Sequence, residues 1–199
     1  MKPGKMVLSI SVISAMWALA LVMAMAAAAP LRAAEDAARP AEFKVLDRWV
    51  GDWDVEMTMK PNKENPQGGK SIYRSVIRWA IADRFLHCEA SGKSEDGKTA
   101  AAFMWMMTHD PQSKTYSSAV FWANVEAGTA GFWGGGAAGV GTWDEKEQMM
   151  SIRSEDKDGI VTLSVTQWID KDTHRWVQSM SDKNGNVLFE HTGMGKRRK

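Results

Sequence analysis

From Trp53 to Met59 the chain alternates apolar and polar residues without a break: Trp-Asp-Val-Glu-Met-Thr-Met. A period of two sends successive side chains to opposite faces of an extended backbone, so this run predicts a strand with one buried face. Similar runs follow at 71–81, 84–91, 100–109, 115–124, 129–134, 139–144, 149–154, 160–169, 175–181 and 187–194. Between them stand breakers. Pro61 to Gly69 is a polar loop, Ala82-Asp83 and Glu95-Asp96-Gly97-Lys98 read as turns, and Asp110-Pro111 starts another. Asn184-Gly185 is the strongest hairpin cue in the chain.

Only one stretch has a different period. Phe43, Leu46, Trp49 and Val50 recur at helical spacing and predict one short amphipathic helix, ended by Gly51. About ten short strands in chain order, each with one apolar face, describe an up-and-down meander that must close into a barrel or fold into a sandwich. The expectation is an all-β, antiparallel up-and-down barrel with a short N-terminal helix.

The opening segment changes the picture of where the protein works. Lys2 and Lys5 precede an uncharged run from Met6 to Ala29, which ends in small residues and is followed by Pro30. This is the pattern of a cleaved signal peptide over residues 1–28, with an uncleaved membrane anchor as the alternative. Residues 29–40 then read as a linker, and 41–199 as a single β domain of an exported, periplasmic or secreted protein. Membrane contact is expected only if the first segment stays uncleaved.

Net charge is +1, so no global field attracts nucleic acid or an anionic surface. The basic run Lys196-Arg197-Arg198-Lys199 reads as a solvated tail, with a weak anionic contact as the sharper alternative. Cys88 is the single cysteine, which excludes an intrachain disulfide and a thiolate zinc site. It alternates with Leu86 and Ala90 and reads as a small buried hydrophobe.

A helix leading into Gly51-Asp52-Trp53 resembles the calycin superfamily of lipocalin-like barrels. There the glycine permits a sharp turn and the tryptophan plugs one barrel end, which implies structural roles for Gly51 and Trp53. Further short motifs follow in order: Asp83-Arg84-Phe85-Leu86, His109-Asp110-Pro111 with Tyr116, Gly141-Thr142-Trp143, and a basic residue ending the last strand. Together they are similar to a bacterial family of exported lipocalin-like barrel domains of unknown function. The resemblance implies a fold and no activity. Trp53 is accordingly expected to be buried beside a basic residue of another element.

Candidate chemistry is thin. Gly134-Gly135-Gly136-Ala137-Ala138-Gly139 fits G-x-G-x-x-G, but a strand-like run follows where a dinucleotide site needs a helix. Met104, Met106, Met107 and His109 are soft ligands, yet alternation splits them between two faces. The four histidines show no metal-ligand spacing, and no nucleophile–base–orienter set is legible, so no catalytic or metal residue is assigned. His191, on the last strand, is placed like the axial ligand of the haem-binding nitrobindin-like barrels. That likeness implies haem as an alternative to a barrel without cofactor.

Of ten tryptophans only Trp17 falls in the opening apolar run. Phe103, Trp105 and Met107, with Tyr116, Val120 and Trp122 on the next strand, form the bulkier face and are expected to point inward. Trp105, Trp122, Tyr116 and His191 are therefore the candidate ligand-binding residues, for a small apolar molecule. If the barrel is hollow, a cavity of at least roughly 300 Å³ lies between the two tryptophans and His191. If it is filled, the same residues are simply its core.

Overall fold

The computed structural model describes residues 39–63, 65–93, 99–124, 129–132 and 138–199. The expected leader, most of the linker, the Glu95–Lys98 turn, Trp133 and the glycine run from Gly134 to Ala137 lie outside these residues.

Among the described residues one short helix, α1 (Phe43–Leu46), leads into eleven strands. They are β1 (Gly51–Met59), β2 (Gly69–Ala80), β3 (Phe85–Lys93), β4 (Thr99–Asp110), β5 (Thr115–Asn124) and β6 (Thr129–Phe132). Then come β7 (Gly139–Asp144), β8 (Met149–Glu155), β9 (Val161–Asp170), β10 (Thr173–Ser181) and β11 (Val187–Arg197). All pair antiparallel in the order β4-β3-β2-β1-β11-β10-β9-β8-β7-β5, and β5 returns to β4. Ten strands thus close a barrel, which removes both sheet edges. The remaining strand, β6, continues along β5 beyond β7: Phe121 to Asn124 face β6, whereas Tyr116 to Ser118 face β7.

The helix is shorter than the hydrophobic spacing suggests. After Leu46 the backbone tightens: the Trp49 amide donates to the Leu46 carbonyl (3.1 Å) and that of Val50 to Asp47 (3.2 Å). These three-residue turns keep Trp49 on the buried side while bringing the chain round to Gly51. There φ is +143°, and a Cβ would collide with the Arg197 guanidinium. A side chain is excluded on both counts.

The core sits at the α1 end. Leu46, Trp53, Leu86, Cys88 and Met150 are fully buried, and Trp49 packs edge-on to Trp168 with centroids 3.9 Å apart. Burial lifts the Cys88 thiol to about 12, so it stays protonated and unreactive. Arg197 clasps this end. Its guanidinium lies 4.3 Å from the centroid of Trp53 and donates to the carbonyls of Arg48 (2.9 Å) and Val50, while its Nε meets Asp172 (3.1 Å). The C-terminal basic run is therefore not a loose solvated tail. β11 extends to Arg197, and the Arg198 amide donates to the Asp52 carbonyl (2.8 Å).

Candidate functional site

Away from α1 the barrel is hollow. Its cavity measures about 580 Å³ and runs from Trp49 and Trp53 up to Met59, Lys70 and Phe189 at the far rim. A volume of this size suits one drug-sized or cofactor-sized molecule.

Register and alternation together dictate the lining. Phe103 faces Trp122 across the β4–β5 ladder, and Trp105 faces Val120, so these bulky side chains share the inner face. Gly131 on β6 leaves space for the Trp122 indole, whose ring would lie 3.3 Å from a Cβ there. On the far side three alternate ladder rows, those on the inward face, cross β8 to β11. His191, Gln178, Ser164 and Ile152 form one row; Trp176 and Thr166 belong to the next; Met180, Thr162 and Ser154 belong to the one before.

Trp105, Trp122 and His191 all line the cavity. Tyr116 does not. It shares the inward face of β5 but lies at the α1 end, where its hydroxyl donates to the Glu42 carbonyl (3.1 Å) and its ring packs edge-on to His109. Sequence alternation gives the face of a residue but not its height along the barrel axis, and that height removes Tyr116 from the cavity. Reasoning from sequence also passed over Thr162, Ser164, Thr166 and Gln178. Small polar residues at alternate positions of β9 carry no motif, and only the ladder rows bring them together.

Two buried imidazoles border the cavity. His174 lies between Trp53 (centroids 4.6 Å) and Trp168 (5.6 Å), and burial, helped by the Arg197 charge, pushes its pKa down to about 4. Burial likewise lowers His191 to about 4. Its ring stands edge-on between Trp176 (4.9 Å) and Phe189 (4.6 Å), and its Nε2 is 2.6 Å from Gln178 Oε1. An iron on Nε2 would take the place that Gln178 Oε1 holds beside this atom. Among the described residues no group of three or more His, Cys, Asp or Glu could hold a metal ion.

A family model described as a protein of unknown function, DUF1579, matches residues 39–189, which span the helix and nearly all the barrel. The chain belongs to the DUF1579 family. No curated protein matches the sequence. Among solved structures, this DUF1579 barrel is similar to the S-type phycobiliprotein lyase CPES of Guillardia theta, at 11% identity and a TM-score of 0.55. The similarity covers 81% of this chain and 94% of that one. It is also similar to Rv2717c of M. tuberculosis, at 12% identity and a TM-score of 0.58, covering 80% of this chain and 99% of that one. At such identities the likeness speaks for the DUF1579 fold alone.

Proposed function

We propose that the protein is a non-enzymatic carrier that holds one small, largely apolar molecule inside its barrel, and that it does so outside the cytoplasm after its first segment is removed. The observation that carries this reading is the cavity of about 580 Å³ between Trp105, Trp122 and His191. A barrel whose role was only mechanical would gain stability by filling that space, since an unfilled cavity costs about 24 cal/mol per Å³ of its volume. The filled half beside α1 shows that this chain packs tightly where packing is all that is needed. Among the described residues the lining holds no carboxylate and one ordinary cation, Lys70, at the rim, which gives catalysis no support.

The test uses N-phenyl-1-naphthylamine, an apolar dye that brightens in a dry site. The wild-type protein should bind it, and Trp105→Ala and Trp122→Ala should each weaken binding by about tenfold, which corresponds to roughly 1.4 kcal/mol. Circular dichroism should show both variants still folded. Dye binding that ignores both substitutions, or no binding by the wild type, would sink the carrier reading. Native mass spectrometry of protein purified from its own cells would then give the mass of the natural occupant.

A further inference from the structure

The cavity has two unlike walls. Ten strands form the ring, so β10 stands five strands from β4 in either direction, and β11 stands five from β5. One wall presents Phe103, Trp105, Val120 and Trp122 from β4 and β5, with Tyr73 of β2 beside them and single hydroxyls at Ser71, Ser75 and Ser118. On the other side of the ring, β8 to β11 present Ser154, Thr162, Ser164, Thr166, Gln178 and His191 from three alternate, inward-facing ladder rows. Trp176 and Phe189 flank His191, so the polar wall is a stripe of hydrogen-bonding groups set in an apolar frame.

We propose that the occupant is an uncharged, flat, amphipathic molecule: its apolar face lies against Trp105 and Trp122, and a hydrogen-bonding edge of hydroxyl or carbonyl groups meets Thr162 and Ser164. This deepens the carrier reading and rests on it.

Three observations carry the assignment. First, Thr162 is only 4% exposed, lines the cavity, and its hydroxyl has no hydrogen-bond partner within the protein. A buried hydroxyl left in that state is costly, and a turn about its χ1 would bring it to a ligand edge in the cavity that Thr162 lines. Second, no Asp or Glu is among the described residues lining the cavity, and Lys70 is exposed at the rim. Burial keeps His174 and His191 neutral at pH 7, so neither offers a cation in the interior. An ion placed there would lose its hydration without gaining a counter-charge. Third, the aromatic rings stand on two adjacent paired strands, where a flat molecule can cover them together.

Three matched tricyclic probes test this at pH 7.5 by calorimetry: phenanthrene, 9-phenanthrol and phenanthrene-9-carboxylate. The neutral phenol should bind at least about fivefold tighter than the hydrocarbon, the gain expected of one hydrogen bond, and the carboxylate weakest. In Thr162→Val with Ser164→Ala the preference for the phenol should vanish while phenanthrene binds as before. The melting temperature of Thr162→Val alone should not fall, since it removes a hydroxyl the protein itself leaves unpartnered. Equal binding of phenol and hydrocarbon overturns the two-walled assignment and leaves the apolar carrier standing. Tightest binding of the carboxylate, lost in Lys70→Gln, overturns it in favour of an anion site at the rim. Failure of all three probes removes the carrier reading as well.

Discussion

His174 and His191 are neutral bases enclosed by aromatic rings, and this sets how the fold responds to acid. Their folded pKa values, about 4, lie below the ordinary 6.5, so between these limits the unfolded chain binds more protons. Stability therefore rises with pH across that window, is complete above the unfolded value, and falls as the solution is acidified towards pH 4. Each imidazole should remove about 2 to 3 kcal/mol between pH 7.5 and 4.5. The aspartates held below their usual range, such as Asp52 between Arg74 and Arg78, destabilise chiefly under the unfolded value near 3.8, at the acid edge of this window. Urea unfolding at the two pH values should show the loss, and His174→Gln should remove about half of it. A flat profile would mean that water or a partner reaches these rings. Sequence marked His191 for its place on the last strand, but gave no reason to single out His174. What makes His174 unusual is its company, Trp53, Trp168 and Arg197, and all three come from other elements.

At the scale of elements, β11 shows how one strand serves its neighbour by carrying no side chain. Trp176 and His174 on β10 lie flat across Gly193 and Gly195, and a Cβ at either glycine would run into the ring beside it. Alanine normally improves on glycine in a strand by about 0.5–1 kcal/mol. Here Gly195→Ala should instead cost about 1 to 3 kcal/mol through overpacking. Gly69→Ala, with nothing within 4 Å of its Cβ, is the control and should be neutral or slightly stabilising. Denaturant midpoints of the two variants decide it, and a gain at Gly195 would show that His174 can move aside. Period-two alternation made the strands legible almost to their ends, because one face of each is buried. It could not announce such glycines, whose reason lies in the partner strand. Nor could it foresee the turn after β2, where Ile81, Ala82 and Asp83 all take left-handed φ values of 51° to 55° without a glycine among them.

For the whole molecule, the barrel followed from counting apolar faces that need covering, and its closure followed from the cost of open edges. The division into a packed half and a hollow half did not follow, because pocket walls and packed cores draw on the same residues. Trp105 and Trp53 alternate alike in the sequence; only the placement of α1 under one end fills the space around Trp53. The proposed export adds a prediction at this scale. Mature protein from the periplasm or medium should begin between Ala27 and Glu35, as N-terminal sequencing would show; recovery of Met1 in a membrane fraction would point to an anchor instead. The Arg197 clasp bears on the order of events in such a life. β1 precedes every other described strand, yet its second neighbour is β11, the last of them in chain order, which carries the guanidinium that fastens Trp53, Arg48 and Val50. The ring cannot shut until β11 has joined β1, so its closing contacts are of long range and of the kind that forms slowly. A barrel threaded across a membrane as it emerges would thus stay unclosed until β11 followed, and Arg197 would be the residue that locks it.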